Sequence, residues 1–248
     1  NAVITRNRRI GCSQSGIQTA MLKFGRHKYF DQFCDRAYTY IQYVDQKYAE
    51  WLGVPKSIKT TSVKPSGTVS LVAGELPGIH YAESESYYRT VRVASNSPFV
   101  PLLKEAGYRI EPAVSDPTRT LVVYFPVILR DGTISNKNIS IWEQFANAVD
   151  MQHYWADNQV SITITFNQTE ADQIARALSA FDNRLKGVSL LTASDHGYAQ
   201  APYTPAPRDE LEAYAATLKP INFDSLTKEG DNADANKFCD GDACRRGR

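Results

Sequence analysis

Two cysteines near the end of the chain are the first candidates for chemistry. Cys239 and Cys244 stand in Cys-Asp-Gly-Asp-Ala-Cys and are followed by Arg-Arg-Gly-Arg. A thiolate carries out thiol–disulfide exchange, and the neighbouring arginines favour the thiolate while the intervening aspartates oppose it. A zinc site would need two more ligands, and no second close pair of Cys or His accompanies these two in the sequence. The pair is therefore either a redox dithiol or two incidental thiols.

A second candidate lies in the segment Lys59–Ser70, where a predicted strand runs into Pro-Ser-Gly-Thr and then into a short predicted helix. The free N–H groups at a helix start suit a phosphate. Gly67 would let the backbone approach closely, and Ser66 and Thr68 would add hydroxyl donors. The Gly-Lys-Ser/Thr ending of a Walker loop is missing. An ordinary capped helix start is the alternative.

The remaining cysteines and histidines favour structural interpretations. Cys34 lies on an apolar helical face and is predicted to belong to the core. Cys12 has small polar neighbours that would fit the wall of an active site, but a buried strand end is the favoured interpretation. His80 and His153 lack any ligand spacing, so both are predicted to be hydrogen-bonded structural histidines.

The elements that must hold these residues alternate between helix and strand. Apolar residues at three- and four-residue steps predict helix through residues 14–52, with a break near Gly25 and an end at Gly53. Further helices are predicted at 68–73, 98–106, 141–155, 170–181 and 208–218, and strands at 58–63, 87–94, 120–125, 160–166 and 186–191. This alternation predicts an α/β domain with parallel strand pairings.

Composition excludes several classes of function. The 248 residues are 42% hydrophobic and carry a net charge of +1, which gives no electrostatic basis for binding nucleic acid or a membrane surface. The longest apolar run, residues 121–129, is too short to span a bilayer. Four widely spaced cysteines favour a reducing cytoplasm. The sequence opens on Asn1 without an initiator Met or a targeting pattern, and we expect a fragment.

Five short motifs follow one another along the chain. They are Arg-Asn-Arg-Arg-Ile-Gly at 6–11, Lys-Pro-Ser-Gly-Thr-Val-Ser-Leu-Val-Ala-Gly at 64–74, Pro-Gly-Ile-His at 77–80, Trp-Ala-Asp-Asn-Gln-Val-Ser at 155–161 and Gly-Tyr-Ala-Gln-Ala-Pro-Tyr at 197–203. In this order and spacing they resemble the class II ribonucleotide reductases, and the spacing of the two terminal cysteines is similar to that of the monomeric ribonucleoside-triphosphate reductases. The resemblance covers essentially the whole chain and corresponds to about the C-terminal third of a family member.

The resemblance implies an architecture and a set of roles. Residues 1–225 would form the later part of a ten-stranded α/β barrel, and residues 226–248 a flexible redox tail. The cofactor would be adenosylcobalamin, the substrate a ribonucleoside triphosphate and the reductant thioredoxin. The implied site residues are Ser66, Gly67, Thr68 and Val69 on the substrate phosphates, and Cys239 and Cys244 as the pair that shuttles reducing equivalents to an active-site disulfide.

One departure from the family is large. The radical cysteine of the family lies in an Asn-x-Cys-x-Glu type of motif, and none of the four cysteines here has that surrounding sequence. The chain would therefore need the missing N-terminal part of the reductase as its partner, and alone it would be inactive.

Two alternatives remain at this point, a non-catalytic nucleotide-phosphate-binding module and a fragment of a class I large subunit. Against class I, Leu190-Leu191 stands where class I enzymes carry adjacent tyrosines. No glycyl-radical loop is recognisable near the end, which disfavours class III.

Overall fold

The computed structural model of the protein describes residues 2–66, 69–193 and 199–223. Within these ranges the α-helices are α1 (Ala2–Asn7), α2 (Ile17–Phe24), α3 (Arg26–Lys28), α4 (Arg36–Leu52), α5 (Val69–Val72), α6 (Phe99–Glu105), α7 (Ile141–Tyr154), α8 (Ile174–Phe181) and α9 (Arg208–Thr217). A π-helical segment, Tyr29–Asp35, joins α3 to α4, and 3-10 turns span Asn136–Asn138 and Gln168–Gln173. The strands are β1 (Arg9–Cys12), β2 (Lys59–Thr61), β3 (Ser86–Ala94), β4 (Arg109–Ala113), β5 (Asp116–Ile128), β6 (Thr163–Phe166), β7 (Ser189–Thr192) and β8 (Tyr203–Pro205).

Four of these strands run parallel and form one layer. Strand β1 pairs with β2, and β6 pairs with β7. Val63, just beyond β2, forms a parallel bridge to Val160, just before β6. The bridge joins the two pairs in the order β1–β2–β6–β7, so the predicted parallel pairing is confirmed for these strands.

The main hydrophobic core packs helices against this parallel layer. It contains Ile17 of α2, Phe145 and Met151 of α7, and Val63 and Ile164 from the strands, all with no exposed surface. Cys34 is also fully buried here, as predicted. The amphipathic helices therefore cover one face of the layer and leave the carboxyl ends of the strands to loops.

The predicted helical region 14–52 is confirmed together with its break. Gly25 has φ 84°, outside the range of an ordinary helical residue, and separates α2 from α3. Gly53 ends α4 with φ 63°, and its N–H donates to the carbonyls of Ala49 and Glu50. A left-handed residue at this place suits glycine because it has no Cβ.

A second, antiparallel sheet has the order β4–β5–β3–β8. The sequence predicted only parallel pairing, and for this sheet the prediction is wrong. Ala113 pairs with Asp116, so β4 and β5 are joined by a tight turn of two residues. Such a turn permits only antiparallel pairing, whereas parallel strands need a long crossover. Helix α9 packs on this sheet, where the ring of Tyr214 lies 5.7 Å from that of Tyr88.

Candidate functional site

The carboxyl ends of β1 and β2 lie side by side and begin the candidate site. Ser13 follows β1 directly, and Lys64 follows the bridged residue Val63. The Lys64 N–H donates to Ser13 Oγ over 2.9 Å. Parallel α/β sheets bind their ligands beyond the carboxyl ends of the strands. The Pro-Ser-Gly-Thr segment therefore leaves the sheet at the edge where a ligand site is expected.

The structure describes two of the four predicted phosphate-binding residues. Ser66 has φ 51°, in the left-handed region that residues other than glycine rarely adopt, and its carbonyl accepts the Ser70 N–H over 3.2 Å. Val69 begins α5 and is 73% exposed. Gly67 and Thr68 lie outside the described residues. Because α5 is only one turn long, its dipole adds little to the binding of an anion.

A turn at Pro77–His80 packs directly against this segment. Gly78 has φ 54°, and a Cβ placed on it would lie 2.4 Å from the Lys64 carbonyl oxygen. The Ile17 N–H donates to the Gly78 carbonyl over 3.2 Å, and Gln18 Nε2 donates to the Ile79 carbonyl over 2.7 Å. Only glycine fits such a close approach in this conformation. The start of α2 and the turn together fix the position of Lys64 and Pro65.

A cavity of about 370 Å³ opens between Pro65 and strand β6. Its walls come from distant parts of the chain: the turn at 77–80, the two threonines of β6, the first half of α7 and Leu191 of β7. The volume and the mix of apolar and polar walls are those of a pocket for a small organic ligand. Leu191 lies on this cavity wall. It is one of the two leucines that were compared above with the adjacent tyrosines of class I enzymes.

His80 forms part of the wall and is hydrogen-bonded at both ring nitrogens. The Thr163 N–H donates to its Nε2 over 3.1 Å, so the ring proton resides on Nδ1, which donates to the Pro77 carbonyl over 3.2 Å. Burial lowers the pKa of His80 below its ordinary value. The predicted role of a hydrogen-bonded structural histidine is confirmed, and the ring is neutral at pH 7.

A polar cluster lies beside the cavity and ties α3 to α7. Arg26 donates to Asn147 Oδ1 and pairs with Asp150 at 2.6 Å. The Tyr81 hydroxyl accepts from Asn147 Nδ2 over 2.7 Å and donates to Glu143 Oε1 over 3.1 Å. Burial, with Glu143 nearby, raises the pKa of Tyr81. These contacts hold the first half of α7 against the turn.

Several cavity residues were missed from the sequence, among them Gln18, Gln144 and Asn147. All three are buried, and Asn147 has no exposed surface. They stand on helix faces that are otherwise apolar. A polar residue at a core position of a helical pattern was the signal that could have found them.

The predicted redox pair, Cys239 and Cys244, lies outside the described residues. Of the other cysteines, Cys12 ends β1, as its favoured interpretation predicted, but it is exposed and not buried. Strand β1 is an outer strand of the parallel layer, which leaves all four of its residues exposed. Over the ranges that the structure describes, no three His, Cys, Asp or Glu residues are grouped so that they could hold a metal ion. No helix there is long and apolar enough to cross a membrane.

Comparison with known proteins gives one consistent result. No family model matches the sequence. The chain is 44% identical to a probable adenosylcobalamin-dependent ribonucleoside-triphosphate reductase of Dictyostelium discoideum, over 98% of this chain and 32% of that protein. It is 41% identical to the adenosylcobalamin-dependent ribonucleoside-triphosphate reductase of Euglena gracilis, over 98% of this chain and 34% of that protein. The corresponding enzyme of Lactobacillus acidophilus is 34% identical.

A solved structure agrees with the sequence relatives. The fold matches the crystal structure of a B12-dependent (class II) ribonucleotide reductase with a TM-score of 0.77 and 32% identity, over 88% of this chain and 34% of that one. The chain is therefore homologous to part of the class II ribonucleotide reductases. In sequence its relatives are the adenosylcobalamin-dependent ribonucleoside-triphosphate reductases, and the chain spans about a third of their length.

Proposed function

We propose that this chain is the C-terminal part of an adenosylcobalamin-dependent ribonucleoside-triphosphate reductase. In the complete enzyme it would bind the phosphates of the substrate and renew the reducing equivalents. The observation that carries the proposal is the match over 98% of the chain, at 44% identity, to a reductase of this name. The cavity lined by Pro65 is the place where we propose that the substrate binds.

In this proposal Ser66, Gly67, Thr68 and Val69 hold the substrate phosphates. The segment leaves the carboxyl edge of the parallel layer, and Ser66 keeps a strained left-handed backbone there. Strain of this kind concentrates at ligand sites. The ribose would then extend into the cavity beside Pro65, against the threonines of β6.

The parallel layer also supports a larger barrel. Strand β1 stands at one end of the order β1–β2–β6–β7 with all four residues exposed, and three of the four residues of β7 are exposed at the other end. We propose that these two outer strands pair with strands of the N-terminal part and complete the ten-stranded barrel. That part would also supply the radical cysteine, whose motif does not occur in these 248 residues.

Cys239 and Cys244 would serve as the shuttle pair, oxidised to a disulfide as they reduce an active-site disulfide and reduced again by thioredoxin. Their support is the resemblance in spacing and position, together with the polar segment 226–237 before them. Such thiol chemistry fits the reducing cytoplasm.

The cavity beside Pro65 does not by itself fit the cofactor. Its volume of about 370 Å³ is too small for a corrin ring. We therefore assign no residue of this chain to the cofactor and derive no step through it. In the complete enzyme the cofactor would supply radical chemistry, while the protein would orient the substrate and exclude water.

Substitution of Gly67 tests the phosphate role. In the complete enzyme Gly67→Val should weaken ribonucleoside-triphosphate binding at least about tenfold, because a branched side chain blocks close approach of the backbone to the phosphates. Gly187→Ala is the matched control, since a Cβ there meets only the end of the Gln159 side chain. Equilibrium binding of the nucleotide measures the effect. Equal affinity in Gly67→Val and the wild type would show that the turn is only structural.

A further inference from the structure

Along one edge of β6, the neighbouring strand ends just before β6 begins. The Ser161 N–H donates to the Val63 carbonyl over 2.9 Å. This bond lies next to the parallel bridge between Val63 and Val160. After Val63 the chain turns away into the phosphate-binding segment. In a parallel strand every second residue presents its N–H to the same edge. The next two N–H groups on this edge, those of Thr163 and Thr165, therefore face the place that a strand has left.

Two side chains fill that place. His80 Nε2 accepts the Thr163 N–H over 3.1 Å, and Gln144 Oε1 accepts the Thr165 N–H over 2.9 Å. Gln144 Nε2 also donates to the Thr165 carbonyl over 2.7 Å. The amide of Gln144 thus bonds both backbone groups of Thr165, as the N–H and carbonyl of one residue in an antiparallel neighbouring strand would. Its side chain is almost wholly buried, so these bonds are not exchanged for water.

His80 connects β6 to the phosphate-binding segment, and Gln144 ties α7 to β6 on the wall of the same cavity. His80 belongs to the turn whose Gly78 touches the Lys64 carbonyl, and its Nδ1 bonds to Pro77 within that turn. Gln144 belongs to α7 and lines the same cavity as His80 and Pro65. Any shift of the turn relative to β6 must break the bond between His80 and Thr163. The distance across the cavity is therefore set by these bonds.

We propose that His80 and Gln144 are positioning residues that replace a strand along β6 and so hold the segment 64–66 at the right distance across the cavity for the nucleotide. This inference rests on the proposed function, because it names what the positioned segment serves. Neither side chain takes part in the chemistry. Their loss affects binding of the substrate more than the rate of its conversion.

Steady-state kinetics of the complete enzyme provide the first test. His80→Ala leaves the Thr163 N–H without a partner, and we expect KM for the ribonucleoside triphosphate to rise about tenfold while kcat changes less than about threefold. His80→Gln can still accept this N–H and should restore KM to within about threefold. The matched control is His153→Gln, a histidine that is exposed on α7. Gln144→Leu should behave like His80→Ala, with the exposed Gln46→Leu as its control.

An unchanged KM in both His80→Ala and Gln144→Leu would overturn the inference. So would a His80→Gln variant that is as impaired as His80→Ala, since the acceptor for Thr163 would then not be what matters. If His80→Ala fails to fold, the other two variants decide. The inference expects a KM near the wild-type value in His80→Gln and a raised KM in Gln144→Leu, and equal KM values in the two would overturn it.

Hydrogen exchange gives a second readout that does not depend on activity. We expect His80→Ala and Gln144→Leu to speed amide exchange both in 160–166 and in 61–66, because His80 anchors β6 to the turn that packs on Lys64 and Gln144 anchors β6 to α7 across the same cavity. Faster exchange in 160–166 alone would contradict positioning of the phosphate-binding segment. If the wild-type enzyme reduces no ribonucleoside triphosphate, the proposed function fails, whereas the exchange result still decides whether His80 and Gln144 position this segment.

Discussion

At His80 one imidazole ring makes two hydrogen bonds that only its neutral form can make together. Nε2 accepts from the Thr163 N–H, and Nδ1 donates to the Pro77 carbonyl. A proton on Nε2 would turn an acceptor into a donor facing another donor. The lowered pKa of His80, caused by burial, keeps that proton away near neutral pH. The residue type was visible in the sequence, but its partner on β6 lies 83 positions away.

The proposed shuttle role of the terminal cysteines can be tested at the residue scale. In the complete enzyme, Cys239→Ser with Cys244→Ser should abolish turnover driven by thioredoxin yet spare a single turnover of prereduced protein. The reason is that a shuttle pair is needed only to renew the active-site thiols. Deoxyribonucleotide formed per enzyme, with and without thioredoxin, is the measurement.

Cys12→Ser is the control for the double variant, because Cys12 is an exposed cysteine that lies on β1. It should keep turnover with thioredoxin. Full thioredoxin-driven turnover in the double variant would refute the shuttle role.

At the scale of elements, the contact between the turn 77–80 and the segment after β2 can be tested through two glycines. Gly78→Ala places a Cβ 2.4 Å from the Lys64 carbonyl oxygen, and Gly74→Ala meets nothing within 4 Å. Both glycines have positive φ, so each substitution costs about 1 kcal/mol of backbone strain. The clash should add about 2 kcal/mol or more for Gly78 alone.

Urea unfolding of the two variants measures the difference in the free energy of unfolding. Gly78→Ala should be the less stable by that margin and should also weaken nucleotide binding. Equal stability of the two variants would mean that the turn does not pack against the Lys64 carbonyl as the structure indicates.

Elements with a strong local pattern were predicted well. The helices in 14–52, with the break at Gly25 and the end at Gly53, follow from periodicity and capping, and both are found. The strand predicted at 87–94 is also present as β3. The short strands β4 and β8 were not predicted, because each contains a proline, which is depleted in strands and is accepted in these two as outer strands of the sheet. The partner of β8, strand β3, also lies far away along the chain.

At the scale of the whole molecule, the candidate site was half predictable. The segment 64–69 was singled out in the sequence because its turn residues are local, and of its described residues the structure places Pro65 on the cavity wall. The rest of the cavity was not found, because β6, the start of α7 and Leu191 meet it only after the chain has folded. The pairing of the exposed outer strand β1 could not be predicted for the same reason. Its neighbours are set by the assembly of strands and not by its own four residues.

The central claim is that this chain works within a cobalamin-dependent reductase of ribonucleoside triphosphates. The most direct test is to incubate the complete enzyme that contains it with a ribonucleoside triphosphate and a dithiol, with and without adenosylcobalamin, and to measure the deoxynucleotide formed. We predict that deoxyribonucleoside triphosphate forms only when adenosylcobalamin is present, and that the corresponding diphosphate is a poorer substrate. Nucleotide binding without any reduction would contradict the account and favour a non-catalytic phosphate-binding module.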